Sequence, residues 1–197
     1  MTPINFRLGI DLDGVLYDWH LDMREWVRIS TGIEYPQPTT WNFSEKEWGM
    51  SREEFTNHWH EGVRAGHVFR KQPPLTEGVE VLHRLAKDHD LFIITSRLLP
   101  GLEDQCRDNT MGWIEEYGIP YDELHLVGHG KSEICTDLEI DIMIDDAIHN
   151  YEDIRKNSRT LPVMLTMPWN KDHLAWDRVD SWTEFEAFVT RLATKPY

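Results

Sequence analysis

The chain has 197 residues, of which 40% are hydrophobic and 28% are charged, and its formal net charge is −15. This length and composition predict one globular domain, at most with an inserted subdomain, and exclude a disordered or repeat-built chain. The acidic balance argues against long nucleic acids as partners, because proteins that bind them gain affinity from Lys and Arg. A small anionic ligand is compatible with the charge if a bound cation reverses the local field.

The two cysteines, Cys106 and Cys135, are too few for a disulfide scaffold and indicate free thiols in a reducing compartment. No segment approaches the roughly 20 apolar residues of a membrane span, and the first residues lack the pattern of a signal peptide. We therefore expect a soluble, cytoplasmic protein with no membrane partner. A homodimer is compatible with these properties.

Short apolar runs, typical of buried parallel strands, recur along the chain at residues 6–10, 91–94, 124–127, 140–144 and 162–165. Apolar residues have helical spacing over residues 75–88, just before the second run, and over residues 111–117, between the second and third runs. Ser181 with Glu184 predicts a capping box at the start of a last helix. This alternation predicts an α/β fold in which helices cover both faces of a parallel sheet.

The gap between the first two runs is much longer than the dozen or so residues that a crossover connection needs. Residues 17–31 have a helical pattern, residues 32–42 predict a loop, and Ser51 with Glu54 predicts a helix to about residue 65. We therefore predict a small helical cap of residues 17–74, inserted after the first strand and lying over the carboxyl ends of the sheet. Residues 1–16 and 75–197 would form the core domain.

Acidic pairs end two of the apolar runs. Asp11 and Asp13 follow the first run, and Asp145 and Asp146 follow the fourth. The carboxyl ends of parallel strands meet at one edge of a sheet, where ligands bind. Carboxylates gathered there repel each other unless a hard cation with oxygen ligands is bound between them. The two pairs therefore predict a magnesium site.

Polar residues suited to a phosphoryl group lie between these pairs. Thr95 and Ser96 follow the second run, and Lys131 lies in the loop after the third. A hydroxyl and an ammonium position a phosphoryl group and neutralise its oxygens. In this order, Asp11-x-Asp13, Thr95, Lys131 and Asp145-Asp146 resemble the four motifs of the haloacid dehalogenase superfamily. The resemblance implies the Rossmann-like three-layer fold of that superfamily and a phosphatase activity.

The region of residues 6–150 also resembles the 5′(3′)-deoxyribonucleotidase family. The similarity lies in the cap position, in the Thr95-Ser96 pair, in the return segment of residues 66–79 and in a helix with Trp113-Ile114-Glu115. Further along, residues 168–170, Pro-Trp-Asn, are similar to bacterial and phage-like relatives. This resemblance implies a small-molecule phosphate monoester, and specifically a nucleotide, as the substrate.

The resemblance also implies a role for each motif residue. Asp11 would be the nucleophile that forms an aspartyl-phosphate, and Asp13 would protonate the leaving oxygen and then activate water. Thr95 and Lys131 would hold the phosphate. Magnesium would be held by an Asp11 oxygen, the Asp13 backbone carbonyl and the pair Asp145 and Asp146, with either of the last two as the direct ligand.

Aromatic cap residues stack on the base in that family, and the matching positions are Trp19, Trp48 and Trp59. The alternative is that these rings fill the cap's own core, and Trp19 is the one that we favour as a pocket residue. Two positions depart from the family pattern, since Ala147 replaces a basic residue and Arg97 follows Ser96 where a Pro is common. Arg97 would either supply charge near the phosphate or lie on the surface in a salt bridge.

The function predicted from these residues is magnesium-dependent hydrolysis of nucleoside 5′- or 3′-monophosphates, with deoxypyrimidine nucleotides as the expected substrates. Two alternatives stay open. A sugar-phosphate phosphatase or mutase of the same superfamily would keep all four motifs and change the cap. A nucleotide-binding module without turnover would keep the fold alone.

Overall fold

The computed structural model describes residues 4–194, and its strands form one parallel sheet. The strands are β1 (Arg7–Ile10), β2 (Asp90–Thr95), β3 (Glu123–Leu126), β4 (Ile142–Asp145), β5 (Leu161–Leu165) and β6 (Arg178–Val179). They pair in the order β3-β2-β1-β4-β5-β6, with every pair parallel. The predicted parallel sheet is therefore confirmed. The two-residue edge strand β6 was not predicted, because it has no apolar run of its own.

Helices connect the strands and complete the α/β fold. They are α1 (Trp19–Thr31), α2 (Phe43–Lys46), α3 (Arg52–Arg64), α4 (Thr76–Leu85), α5 (Glu103–Tyr117), α6 (Ser132–Asp137), α7 (Ile148–Asn157) and α8 (Trp182–Thr194). From β2 to β5 the helices alternate with strands, as the apolar pattern predicts. The α/β fold class inferred from the sequence is thus confirmed.

The two predicted capping boxes differ in outcome. At α3, the Ser51 hydroxyl accepts from the Glu54 backbone N–H, and the Glu54 carboxylate accepts in return from the Ser51 N–H. At α8, the Ser181 hydroxyl accepts from the Glu184 N–H, but the Glu184 carboxylate accepts from the N–H of Asp180 at 2.7 Å. The last helix therefore has a reciprocal cap that reaches one residue further back than the motif predicts.

Two apolar clusters place the functional elements. The larger lies beneath the sheet's central strands, and its fully buried members include Leu8, Ile10, Trp113, Phe185 and Val189. The smaller joins α1, α2 and α3 to the segment after β2, and its members include Met23, Phe43, Trp48, Phe69 and Leu99. The inserted helices therefore pack on the carboxyl side of β2 through apolar contact as well as through the chain itself.

The chain leaves the sheet and returns to it through adjacent segments. Tyr17 forms β-bridges with Asp13 and with Pro74, and the Leu75 N–H donates to the Leu16 carbonyl at 2.9 Å. These backbone contacts lie at the positions where the sequence predicts that the cap begins and ends. The division into a cap of residues 17–74 and a core of residues 1–16 and 75–197 stays a prediction.

Two further expectations bear on the chain's surroundings. Cys106 and Cys135 are both buried and free, as expected from the low cysteine count. Burial raises the pKa of the Cys106 thiol and raises that of Cys135 to about 12, so neither is a ready nucleophile. Across residues 4–194, no helix has the length and apolar character needed to cross a membrane.

Candidate active site

Three carboxylates from neighbouring strands converge at the carboxyl edge of the sheet. Asp11 directly follows β1, and its N–H donates to the Ile144 carbonyl of β4 at 3.1 Å. Asp145 ends β4, and Asp146 is the next residue. One carboxylate oxygen from each of these three aspartates lies within 4.8 Å of the others, and all three side chains are buried. The structure thus brings Asp11, from the first acidic pair, next to both members of the second pair, which lies far away in the sequence.

Lys131 lies between two of these carboxylates. Its ammonium is 2.8 Å from Asp11 Oδ1 and 2.7 Å from Asp145 Oδ2, and it is fully buried just before α6. Burial alone lowers the pKa of Lys131, but attraction to the two carboxylates outweighs it and raises that pKa above its ordinary value. Lys131 is therefore a permanent cation that offsets part of the negative charge.

One cation does not balance three buried carboxylates. Burial raises the pKa of Asp11, and repulsion from Asp145 adds to the rise that Lys131 opposes. Burial and repulsion from Asp145 and Asp11 also raise the pKa of Asp146 well above its ordinary value. Such a cluster of hard oxygen donors fits a divalent cation of the magnesium type, which would lower the cost of keeping all three ionised.

The neighbours of Asp145 and Asp146 indicate different tasks. Both oxygens of Asp145 are engaged, because they accept from Lys131, from the Ala147 N–H at 2.8 Å and from Asn150 Nδ2 at 3.0 Å. Asp146 accepts through Oδ2 from the Trp169 indole N–H at 2.7 Å. The arrangement orients Asp145 toward Lys131 and leaves more of the Asp146 carboxylate available for a cation.

Gly14 lets the loop after Asp13 pass directly against Asp146. Its φ is +77°, and a Cβ built on it would lie 2.3 Å from Asp146 Oδ2. The left-handed backbone and the close approach together require glycine at this position. The two acidic motifs are therefore in contact through backbone as well as through charge.

The hydroxyl residues lie at the end of β2. Thr95 is fully buried, and within the described part of the chain its Oγ1 has no hydrogen-bond partner. A buried hydroxyl without a partner costs free energy, which a phosphate oxygen at this edge would recover. Ser96 is half-buried and does not line the cleft described below.

Arg97 differs from both expectations for it. Its side chain is 0% exposed, so it does not lie on the surface, and it is not among the residues that line the cleft described below. It is instead paired with Asp13, whose side chain is 24% exposed, through Nη2–Oδ1 and Nε–Oδ2 distances of 2.7 and 3.0 Å. The burial follows from three aromatic rings that surround the guanidinium, which come from separate parts of the chain.

A cleft of about 540 Å³ lies between the inserted helices and the carboxylates. Asp13 and Asp146 line its floor, and the rings of Trp19 and Trp59 line its walls. The prediction that Trp48 lines the pocket is wrong, because its side chain is buried in the smaller apolar cluster. Its ring stacks on Tyr35 at 4.9 Å and its indole N–H donates to the Pro36 carbonyl. Two of the three predicted tryptophans thus face the cleft.

Several site residues were missed in the sequence. Trp41 and His20 also line the cleft, and the His20 ring lies 4.0 Å from that of Trp169. Burial lowers the pKa of His20 to about 4, so the ring is neutral at pH 7. Asn170 Nδ2 donates to the Asp146 carbonyl at 2.8 Å, and so fixes the backbone of that aspartate. The Pro-Trp-Asn segment was the signal that could have revealed Trp169 and Asn170.

The architecture is shared with solved hydrolases. A haloacid dehalogenase-like hydrolase of Streptococcus pneumoniae matches with a TM-score of 0.66 at 13% identity, over 93% of this chain and 98% of that one. A hydrolase of haloacid dehalogenase subfamily IA from Geobacter sulfurreducens matches with a TM-score of 0.60 at 13% identity, over 95% and 97% of the two chains. These likenesses show that the chain has the fold of haloacid dehalogenase-like hydrolases.

Sequence comparison identifies the family to which the chain belongs. The chain belongs to the family described as 5′ nucleotidase, deoxy (pyrimidine), cytosolic type C protein, whose family model matches residues 5–195. The 5′(3′)-deoxyribonucleotidase of Bacillus subtilis is 26% identical over 185 residues, covering 91% of this chain and 95% of the relative. A Chlorobaculum tepidum protein with the provisional name 5′(3′)-deoxyribonucleotidase is 27% identical over 201 residues, covering 96% and 95%. The protein is therefore a phosphatase of the nucleotidase type.

Proposed function

We propose that the protein hydrolyses nucleoside 5′- or 3′-monophosphates, with deoxypyrimidine nucleotides as preferred substrates, in a magnesium-dependent reaction in the cytoplasm. One observation carries the proposal: the floor of an aromatic-walled cleft is formed by Asp13 and Asp146, beside the buried Asp11 and Lys131. The cleft volume suits a small molecule, which fits a nucleotide and excludes a protein or duplex substrate. The family to which the chain belongs supports the same substrate class.

Asp11, Asp146 and the Asp13 backbone carbonyl are the groups that we propose hold Mg²⁺. Asp145 is proposed to act on Lys131 rather than on the cation, because its oxygens already accept from Lys131, Ala147 and Asn150. The bound cation would neutralise phosphate oxygens and so favour attack by a carboxylate. Lys131 would neutralise a further phosphate oxygen, and Thr95 would donate its unpartnered hydroxyl to the phosphate.

The proposed reaction has two displacements on one phosphorus atom. In the first, an Asp11 oxygen forms a bond to phosphorus while the bond to the nucleoside oxygen breaks, and Asp13 donates its proton to that oxygen. In the second, a water oxygen attacks phosphorus, Asp13 takes the water's proton, and the Asp11 carboxylate leaves. Asp13 ends in its starting state, and the products are nucleoside and phosphate.

The nucleoside is proposed to occupy the upper cleft. The rings of Trp19 and Trp59 offer π-faces to a base, and Trp41 lies at the mouth with 47% of its surface exposed. His20 is neutral at pH 7 because burial lowers its pKa to about 4, so it adds a polar edge without charge. The cleft is also lined by polar and charged side chains, among them Ser44, Arg52 and Thr56, so we assign the base to its aromatic part.

A substrate panel tests the proposal. Phosphate release is measured for thymidine, deoxyuridine and deoxyadenosine monophosphates and for glucose 6-phosphate, each with Mg²⁺ and with EDTA. Turnover is expected with Mg²⁺ only, with the pyrimidine nucleotides hydrolysed fastest. Asp11→Asn is expected to abolish turnover, and Asp137→Asn, which changes an exposed aspartate on α6, serves as the matched control.

The outcomes separate the alternatives. Faster hydrolysis of glucose 6-phosphate than of the nucleotides would contradict the nucleotidase assignment and favour a sugar-phosphate phosphatase. Tight nucleotide binding with Mg²⁺ but without phosphate release would favour a binding module. Unchanged turnover in Asp11→Asn would contradict the role of Asp11 as nucleophile.

A further inference from the structure

Arg97 is a buried cation, and among residues 4–194 it has one ionic partner, Asp13, the aspartate expected to transfer protons. It lies two residues after β2, and its guanidinium donates Nε to Asp13 Oδ2 at 3.0 Å and Nη2 to Asp13 Oδ1 at 2.7 Å. Two parallel hydrogen bonds fix the plane of a carboxylate as well as its distance. The orientation of the Asp13 carboxyl is therefore determined by where Arg97 lies.

An aromatic cage holds the guanidinium in place. Its Cζ lies 4.6 Å from the ring centre of Tyr17, 4.5 Å from that of Phe69 and 5.9 Å from that of Trp113. The remaining nitrogen, Nη1, donates to Thr110 Oγ1 at 3.3 Å. Stacking on these faces stabilises a desolvated guanidinium and restricts its rotation. Arg97 cannot turn without displacing rings from three segments of the chain.

A purely structural ion pair is the simpler explanation, but the partner argues against it. Burying a guanidinium carries a large desolvation cost, and an apolar side chain of similar volume would fill such a cage at lower cost. Asp13 is not part of the interior, since its carboxyl is 24% exposed and lines the floor of the cleft. The pair therefore connects a closed, rigid interior to a group that faces the ligand.

We propose that Arg97 is a positioning residue that sets the orientation of the Asp13 carboxyl for proton transfer. The inference rests on the proposed acid and base role of Asp13. Because Arg97 does not line the cleft and its two charge-assisted hydrogen bonds go to Asp13, we expect its effect on turnover to pass through Asp13. Loss of Arg97 therefore affects esters in proportion to how much their leaving oxygen needs a proton. A nucleoside oxygen needs one, and 4-nitrophenolate, which is stable as an anion, does not.

The test compares kcat/KM for thymidine monophosphate and 4-nitrophenyl phosphate in Arg97→Met, Arg97→Lys and wild type. For the nucleotide, Arg97→Met is expected to lower kcat/KM by roughly 100- to 10,000-fold, the usual contribution of acid catalysis. For 4-nitrophenyl phosphate the loss is expected to stay below about tenfold. Arg97→Lys keeps the positive charge but cannot form the two parallel hydrogen bonds, and its kcat/KM for the nucleotide is expected to lie between those of Arg97→Met and wild type. Arg84→Met, an exposed arginine paired with Glu186, is the matched control.

A double-mutant cycle supplies the second readout. If Arg97 acts through Asp13, Arg97→Met is expected to have no further effect on nucleotide kcat/KM in an Asp13→Asn background. Equal losses on both esters, or additive losses in the double variant, would overturn the proposal and leave a structural ion pair. If Arg97→Met does not fold, the two esters are compared in Arg97→Lys instead. A kcat/KM equal to that of wild type on both esters in Arg97→Lys would also overturn the proposal.

Failure of the proposed function is a separate result. It would appear as wild-type enzyme that does not hydrolyse the nucleotides. The comparison at Arg97 then uses glucose 6-phosphate, or whichever alkyl ester the wild type hydrolyses, because its leaving oxygen also needs a proton. If the wild-type protein hydrolyses none of the esters, both the proposed function and the positioning role of Arg97 are overturned.

Discussion

The indole of Trp169 is expected to contribute to magnesium affinity without touching the ion. Its N–H donates to Asp146 Oδ2 at 2.7 Å, and its ring lies against His20. Trp169→Phe removes the donor and keeps an aromatic ring. A hydrogen bond to a charged group is worth about 1.5–3 kcal/mol, which corresponds to roughly 10- to 100-fold in a binding constant. Loss of an outer partner of a metal ligand has effects of the same size.

Isothermal titration calorimetry, in which Mg²⁺ is added to the protein without substrate, measures the magnesium affinity directly. Trp169→Phe is expected to bind the ion about 10- to 100-fold more weakly than wild type. Trp176→Phe is the control, because Trp176 lies in the same loop with 86% of its surface exposed. Wild-type affinity in Trp169→Phe would refute the reasoning, since it would mean that Asp146 is either not a ligand or not held by Trp169.

Three further predictions concern stability and the site. Burial lowers the pKa of His20 from 6.5 to about 4, against weak attraction to Glu47. The unfolded chain therefore takes up a proton that the folded chain resists, and stability present above pH 6.5 is lost as the pH falls to 4, by about 3 kcal/mol. Urea unfolding at pH 7 and at pH 4 measures this change. The free energy of unfolding is expected to fall less in His20→Phe than in wild type, and an equal fall in both proteins would contradict the role given to His20. Gly14→Ala is expected to cost about 1–3 kcal/mol and to weaken Mg²⁺ binding, because its Cβ would meet Asp146. Gly32→Ala has a similar φ of +74° with no atom of the described residues within 4 Å of its Cβ, and should lose stability alone. Lys131→Met leaves two buried carboxylates uncompensated and is expected to lose about 3–5 kcal/mol in EDTA, with partial recovery in Mg²⁺. Unchanged unfolding in EDTA would contradict the charge argument.

The parts of the site that lie at strand ends were predictable from the sequence. Asp11, Thr95 and Asp145 each end or follow an apolar run, and parallel strands bring such ends to one edge. The period of the apolar residues predicts the strands, and the position of the polar residue after each strand predicts the convergence. These features are local, so a single sequence contains them.

The remaining contacts depend on segments that no local pattern connects. A charged residue just after a strand is usually solvated, and the burial of Arg97 depends on rings at positions 17, 69 and 113. Trp169 reaches Asp146 because β5 lies beside β4, a relation set by the sheet order. With nine tryptophans in the chain, aromatic character alone does not separate Trp48, buried in the smaller apolar cluster, from Trp59, which packs against that cluster and also lines the cleft.

The central place of β1 in the sheet has a consequence for how the protein matures. Leu8 pairs with Leu91 on one side and with Ile142 on the other, so the first strand made must wait for partners from the middle and the later part of the chain. Closing such long loops precedes any gain from pairing, which slows folding. Until then, Asp11 is an ordinary exposed carboxylate, remote from Lys131 and Asp146. The site proposed for phosphate transfer therefore forms only after β1 has paired with both β2 and β4.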